Sequence, residues 1–240
     1  ATIAELITIN AATSGAVALN AETNAADLNG TATELAAAFD AITTSTGDLT
    51  ITGTDPATVA ELIKINAATN GAVVLNAQTI AANLGGTATE LAAAFDGITT
   101  STGSLTITGT TPATIAELLT INAATSGNVA LNAETIAANL DGTAAILAAA
   151  FNGITTSAST LTIAGTTPAT FAELININAA TSGNVVLNAE TIAQNYDETA
   201  ANLAAAFDGI NTSTGDLTIT GTDPATVAEL IMINAATSGA

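Results

Sequence analysis

The apolar residues of this chain recur with the spacing of short amphipathic helices. Leu91, Phe95 and Ile98 fall at positions i, i+4 and i+7, which places them on one face of a helix. The segment Thr87-Ala-Thr-Glu90 fits a capping box, in which the Thr and Glu side chains satisfy backbone N–H groups at a helix start. Gly97 predicts the helix end, because glycine readily adopts the left-handed conformation common at that position.

Short segments with alternating apolar and polar residues lie between these helices. In Leu105-Thr-Ile-Thr108 the leucine and isoleucine face one side and the threonines the other, as in a half-buried β-strand. Val73 and Leu75 form the inward set of the preceding strand in the same way. Helix and strand alternate with connections of a few residues, which predicts parallel strands joined by right-handed crossovers.

The whole pattern returns every 56 residues. One proline marks each return: Pro56, Pro112, Pro168 and Pro224. We therefore predict a single repeat array over residues 1–240. Its repeats are 1–56, 57–112, 113–168 and 169–224, and 225–240 begin a fifth. Neither end carries a polar cap of the kind that repeat arrays need, so we expect a section of a longer array or association through the ends.

The predicted fold class is α/β. A helix–strand unit of this size cannot bury its apolar face alone, so the units must stack on one another. The pattern predicts an open α/β solenoid of four 56-residue repeats, each with two helix–strand units, and a parallel sheet with helices on one face. We expect eight strands, and a second helix in each repeat that is one turn longer than the first. The alternative is a closed eight-stranded α/β barrel, which the small residues on the second strand face disfavour.

The composition excludes several kinds of functional site and partner. The chain has no Cys and no His, and a single Lys against 21 acidic residues gives a net charge of -20. A Ser-His-Asp triad and thiolate metal sites are therefore excluded, and we expect no enzyme and no cofactor other than calcium. Nucleic acid is excluded as a partner because phosphate binding needs Lys and Arg. No apolar run approaches the length of a membrane span, so no membrane insertion is expected.

The loops after the short strands are candidates for calcium binding, because they carry carboxylate and amide oxygens. The candidate ligands are Asn132, Glu134, Asn139 and Asp141 in repeat three, Asn20, Glu22, Asp27 and Asn29 in repeat one, and Asn188, Glu190, Asn195 and Asp197 in repeat four. The equivalent residues of repeat two, Asn76, Gln78, Asn83 and Gly85, include no carboxylate. The same residues also suit Asx-turns and a helix cap at Thr143.

Two further sets of residues recur in register. Threonines such as Thr106 and Thr108 form a flat strand face that is an alternative binding surface for ice or a glycan, although β-propensity also explains them. An Asn closes each short-unit helix, Asn66 in repeat two, and we expect its amide to bond helix carbonyls and bridge successive units.

The near-identical copies of TPATIAELLTINAATSG and GITTSTGSLTITGT, with almost no Lys or Arg, carry a family resemblance. The chain resembles the repeat regions of very large secreted bacterial surface proteins, of the adhesin, RTX-like or surface-layer type, including those of cyanobacteria. The Gly- and Asp-rich calcium nonapeptide of RTX proteins is absent. The resemblance implies an extracellular or cell-surface location and a structural spacer or surface-coat role. The missing end caps, and not the resemblance, predict the partners, which are neighbouring repeats or copies of the chain, end to end.

Overall fold

A computed structural model describes residues 1–40, 42 and 44–239. Its helices are α1 (Ile3–Ala11), α2 (Ala21–Asn24), α3 (Ala32–Ala38), α4 (Val59–Ala68), α5 (Ala77–Ala81), α6 (Ala88–Ala94), α7 (Ile115–Ala124), α8 (Ala133–Ala137), α9 (Ala144–Ala150), α10 (Phe171–Ala180), α11 (Ala189–Ile192), α12 (Ala200–Ala206) and α13 (Val227–Ala236). Its strands are β1 (Leu28–Gly30), β2 (Leu49–Ile51), β3 (Val73–Val74), β4 (Leu84–Gly86), β5 (Leu105–Ile107), β6 (Val129–Ala130), β7 (Leu140–Gly142), β8 (Leu161–Ile163), β9 (Val185–Val186), β10 (Tyr196–Glu198) and β11 (Leu217–Ile219).

The fold is an open α/β solenoid, as predicted. The strands are parallel and form four open sheets, β1-β2-β3, β4-β5-β6, β7-β8-β9 and β10-β11. None of these sheets closes on itself, so the barrel alternative is wrong. Backbone contacts group the chain into two compact units, residues 1–109 with 123–130 and residues 110–122 with 131–240. The first unit holds the first two sheets and the second unit holds the other two.

The strands differ in number and grouping from the expected eight. Each repeat adds a strand that the alternation did not predict, such as β4, which pairs with β5 in the register Leu84↔Leu105. The short helix α5 separates β3 from β4, and these two strands belong to different sheets. The segment after β3, which we expected to be an irregular loop, thus forms the helix α5 followed by the strand β4. A three-residue strand with glycines, Leu84-Gly-Gly86, is too short to show a period of two.

The helix faces bury the residues that the spacing placed on them. Leu91, Phe95 and Ile98 are buried, and so are Leu118 and Ile121 of α7. In the strands, Leu and Ile of the Leu-Thr-Ile segments are buried in β2, β5 and β8, while the central threonine is exposed or half-buried. Helices and strands therefore pack against each other through one apolar layer. Burial of this kind contributes roughly 1.5–3 kcal/mol to the stability of the fold for each large side chain.

The helix starts are fixed by the predicted capping boxes. In the box at α6 the Thr87 hydroxyl accepts from the Glu90 N–H and the Glu90 carboxylate accepts from the Thr87 N–H. The expectation that the second helix of each repeat is one turn longer than the first is wrong. In repeat two the second helix, α6, has 7 residues, and the first helix, α4, has 10. Gly97, at φ 73°, turns the chain out of the helical path, so the extra residues form a turn.

Asparagine and glycine hold successive helix–strand units together at their turns. Asn66 on α4 donates to the carbonyl oxygens of Ala93 and Asp96 at the end of α6, which confirms the predicted bridge. Asn10, Asn122 and Asn178 make the same pair of bonds. In the turn before β5 a Cβ on Gly103 would lie 1.9 Å from the carbonyl oxygen of Ala82, so a side chain there requires the backbone to shift; repeat three carries Ser159 at the equivalent position.

Candidate functional site

The first predicted calcium ligand of each loop is a helix cap. In repeat three the Asn132 side-chain oxygen accepts from the Thr135 N–H at 3.0 Å, and its amide nitrogen donates to the Thr111 carbonyl at 3.0 Å. Asn20 and Asn188 cap α2 and α11 through the same acceptor bond. Asn76 in repeat two, where no calcium is expected, caps α5 in the same manner. The recurrence of this Asn is therefore explained by the short helix that follows it.

The third predicted ligand ties one unit to the next. The side-chain oxygen of Asn139 accepts from the Thr160 N–H at 3.0 Å. Asp27 and Asn195 accept from the N–H groups of residues 48 and 216 in the same arrangement. Asn83 does so in repeat two, with Ser104 as donor. These oxygens thus join neighbouring turns of the chain through bonds between residues 21 apart, and not through the local Asx-turns that the sequence also suited.

The two remaining predicted ligands of each loop lie on different elements, one on a helix and one on a strand. Glu134, Glu22 and Glu190 are in the first turns of α8, α2 and α11. Asp141, Asn29 and Asp197 are the exposed central residues of β7, β1 and β10. Within residues 1–40, 42 and 44–239, no group of three or more acidic side chains converges as a metal would require. Calcium binding therefore stays a prediction.

The threonine face is narrower than expected. Thr106 pairs in register with Gly85 on one side and Ala130 on the other, so each sheet presents one threonine at this level. Thr50 lies between Asn29 and Val74 in the first sheet. Since neighbouring strands are about 4.8 Å apart, no two adjacent strands of these sheets carry threonine at the same height. Ice and glycan binding stay predictions, without a continuous threonine rank to support them.

A groove on the helix face was not predicted from the sequence. It has a volume of about 490 Å³, is lined by small residues of α1, α3 and α4 such as Ala36 and Ala37, and bears the ion pair Lys64–Asp40 at 2.7 Å. A similar groove of about 420 Å³ lies on α10, α12 and α13, with Asp208 and Met232 in the places of the ion pair. The repeated Ala-Ala-Ala tract is the signal that could have located these grooves, because small side chains leave space between helices.

Four capping glutamates have pKa values below their usual range, which does not suit a general acid. Hydrogen bonds from the Thr87 backbone and side chain lower the pKa of Glu90. Equivalent bonds from their own cap threonines lower the pKa values of Glu5, Glu34 and Glu229. A general acid at neutral pH needs a raised pKa. These glutamates are therefore ionised helix caps.

Repeat four carries an aromatic cluster that the other repeats lack. Tyr196 lies with its ring centroid 6.0 Å from that of Phe171 and 5.7 Å from that of Phe207. Its hydroxyl donates to the Ala169 carbonyl oxygen at 2.7 Å. Burial, with a smaller effect from the charge of Glu173, raises the pKa of Tyr196 to about 12. The ring takes the place of leucine at the start of the corresponding strand in the other repeats, so its role is packing.

No family model, no curated protein and no solved structure matches this chain. Among the described residues, no helix is both long enough and apolar enough to cross a membrane.

Proposed function

We propose that the chain is a structural spacer or surface-coat segment of a larger extracellular repeat protein. The observation that carries this proposal is that the recurring polar residues are used in bonds between successive helix–strand units. The Asn66 amide joins α4 to α6. The buried Thr79 hydroxyl accepts from the Ala57 N–H at 2.8 Å, with equivalents at Thr135 and Thr191.

Side-chain bonds in the turns complete this set. The Thr69 hydroxyl donates to the Gly47 carbonyl and accepts from the Gly71 N–H, and Thr181 makes the same two bonds further along the chain. A repeat whose recurring Asn and Thr side chains bond to the neighbouring unit has the properties of a scaffold, because each added copy brings its own bonds to the copy before it. The high negative charge and the absence of cysteine suit a soluble extracellular segment.

The proposed partner is a neighbouring repeat or a second copy of the chain, end to end. The exposed apolar residues of α13 (Val227, Leu230 and Ile231, here the α13 face) and Ile219 of β11 support this. Leu230 is 45% exposed and Ile219 is 39% exposed. The residues 56 positions earlier, Leu174 and Ile163, are 0% and 2% exposed. An apolar face that one repeat buries and another exposes suits a further repeat of the same sequence.

The spacer proposal is tested by changing the repeat number. Removal of residues 57–112 deletes one whole period, and removal of residues 57–84 is the unphased control. We expect the phased variant to fold and to shorten its maximum dimension in X-ray scattering by the same step that duplication of the repeat adds. The unphased variant should lose stability because its turns no longer align. A particle whose dimension does not follow repeat number would contradict a spacer.

The end-to-end partner has a separate test. Ile231→Asp places a charge on the α13 face of an already acidic chain, and Val74→Asp places the same charge on an exposed apolar residue of β3. Sedimentation at increasing concentration should show association of the parent chain that Ile231→Asp abolishes and Val74→Asp leaves in place. Association that is equally sensitive to both variants would contradict stacking through this face.

A further inference from the structure

Three Asn-Gly pairs occur in the chain, and the structure places them in different environments. The pairs are Asn29-Gly30, Asn70-Gly71 and Asn152-Gly153. Asn-Gly is the sequence most prone to deamidation, because glycine has no Cβ to shield its backbone nitrogen from the preceding side chain. The reaction also needs backbone freedom, since that nitrogen must reach the Cγ atom of the asparagine. The fold therefore decides which of the three can react.

The backbones at Asn29 and Asn70 are restrained, which disfavours deamidation at both residues. Asn29-Gly30 lies inside β1, where pairing with Thr50 and Ile51 keeps the backbone extended and Gly30 is buried. In the second pair the Gly71 N–H donates to the Thr69 hydroxyl at 2.9 Å. Gly71 is also packed against the chain below it, since a Cβ there would lie 2.5 Å from a carbonyl oxygen. The Gly71 nitrogen cannot turn without breaking its bond to the Thr69 hydroxyl, and the Gly30 nitrogen cannot turn without distorting the pairing of β1 with β2.

Among the described residues, the pair Asn152-Gly153 lacks the packing and the hydrogen bond that restrain the other two glycines. Both residues are exposed in the turn that follows α9. Gly153 has φ 76°, and no atom lies within 4 Å of where its Cβ would be. Within the described part of the chain, no hydrogen bond restrains the Gly153 N–H or the Asn152 side-chain amide.

We propose that Asn152 is a site of spontaneous deamidation in the folded protein. The Gly153 nitrogen attacks Cγ of Asn152, the new N–Cγ bond forms, and the Cγ–Nδ2 bond breaks. Ammonia leaves with the proton from the Gly153 N–H, and a five-membered succinimide remains. Water then opens the ring at either carbonyl, which gives aspartate or isoaspartate. One water molecule is the only co-reactant consumed, no oxidant is needed, and the chain gains one negative charge.

The two products differ in their effect on the fold. Aspartate at 152 is the residue that the other repeats carry at this place: Asp40, Asp96 and Asp208. Isoaspartate inserts a methylene into the backbone and turns the Asn152 carbonyl into a free carboxylate. That carbonyl accepts the side-chain amide of Asn122 at 3.1 Å, so isoaspartate disturbs the bridge between α7 and α9. The aspartate product should therefore leave stability unchanged while isoaspartate lowers it.

The test follows all three asparagines in one sample. The whole chain is kept folded in mildly alkaline buffer for several days, digested, and mapped by mass spectrometry, with isoaspartyl methyltransferase labelling to find isoaspartate. We expect Asn152 to react more than an order of magnitude faster than Asn29 and Asn70. In denaturant the three rates should converge, because the backbone restraints are lost.

Two variants complete the design. Asn152→Asp should remove the fast site and leave the slow rates at Asn29 and Asn70 unchanged. Gly153→Ala should slow the reaction at Asn152, and repeat one, with Ala41 at this place, shows that the sequence accepts alanine there. Folded-state rates at Asn29 or Asn70 that match Asn152 would overturn the proposal. So would an Asn152 that stays intact in the folded chain while all three react in denaturant.

Discussion

The side-chain amide nitrogen of Asn66 lies 3.1 Å from the carbonyl oxygen of Ala93, 27 residues further along the chain. The same nitrogen reaches the Asp96 carbonyl at 3.0 Å. One side chain on α4 thus satisfies two carbonyl groups that the last turn of α6 leaves open. Stacking between helices therefore relies on a polar contact as well as on the apolar layer beneath.

The first prediction concerns this bridge. Asn66→Ala should lower the free energy of unfolding by about 1 kcal/mol, because two carbonyl groups lose their donor. Asn66→Asp should cost more than alanine, since a carboxylate has no N–H to offer and faces two carbonyl oxygens. Urea unfolding measures both. Asn176→Ala, at an exposed position of α10, is the control that subtracts the gain in helix propensity; equal effects at residues 66 and 176 would contradict the bridge.

The second prediction separates two reasons for glycine. Gly97→Ala should cost about 1–2 kcal/mol, because φ 73° is unfavourable for a residue with a Cβ although no atom lies near it. Gly103→Ala should cost more than Gly97→Ala, because its Cβ would overlap the Ala82 carbonyl unless the backbone shifts. Ser159→Gly, at the equivalent position of repeat three, is the matched reverse substitution. The urea midpoints of both variants check this order. A Gly103→Ala variant as stable as Gly97→Ala would show that the turns can relax.

The third prediction restores a missing cap. In α9 the Thr143 hydroxyl accepts from the Ile146 N–H at 3.4 Å, but no glutamate completes the box, and Ile146 is 39% exposed. Ile146→Glu should stabilise the chain by about 0.5 kcal/mol. Glu90→Ile should have the opposite effect in α6.

The gain from Ile146→Glu should depend on pH. The new carboxylate should behave like that of Glu90, whose pKa is lowered in the folded state by hydrogen bonds from Thr87. Such a group stabilises the fold above the ordinary carboxyl pKa of 4.5, and that contribution is lost as the pH falls through the lowered value. Thermal unfolding of both chains across this range measures the difference. A gain that persists in strong acid would not come from the carboxylate.

The fourth prediction uses the one tyrosine of the chain. Tyrosinate absorbance of the folded protein should titrate with a midpoint at about 12, and at the ordinary value of 10 after unfolding. The folded pKa is the higher one, so Tyr196 stabilises the fold fully below pH 10. That contribution should decline as the pH rises from 10 to about 12. Tyr196→Leu, which matches the other repeats, should abolish this dependence; a folded-state midpoint at 10 would contradict the burial.

The fifth prediction is calcium, with repeat two as its internal control. The hypothesis requires weak binding, in the range of about 10⁻⁴–10⁻³ M typical of extracellular modules, by the loops of repeats one, three and four. Glu134→Gln together with Asp141→Asn should remove the part of the calorimetric heat that repeat three contributes. Gln78→Glu should create a carboxylate in repeat two. An isotherm unchanged by these substitutions would leave the loops as helix caps and links between turns alone.

The helices could be predicted from local signals because their determinants lie within one turn of each other. Thr87 and Glu90 fix a start, Gly97 fixes an end, and Leu91 with Phe95 marks the buried face. The length of α6 could not be judged as well, since the spacing to Ile98 suits both a longer helix and the turn that forms there. The structure forms the turn, and α3 in repeat one also has 7 residues although the sequence there has Ala41 in the place of Gly97.

The role of the candidate calcium loops could not be predicted from the sequence either. An Asn-rich segment such as 132–141 reads equally well as metal ligands and as turns, because the same oxygens serve both. Only the structure shows that Asn139 lies opposite Thr160, 21 residues away, and that Asn132 begins a helix. The distance along the chain between donor and acceptor is set by stacking, which no local pattern contains.

By itself the sequence determined the 56-residue period, the starts of the helices that begin with a capping box, and the buried faces of helices and strands. These depend on side chains close together along the chain, whose spacing follows from 3.6 residues per helical turn and two per strand repeat. The tertiary structure alone decided how the strands group into separate sheets, and that β4 follows α5. It also decided the different surroundings of the three Asn-Gly pairs. These properties depend on which units lie against each other, and contact between distant residues is settled only when the chain is folded.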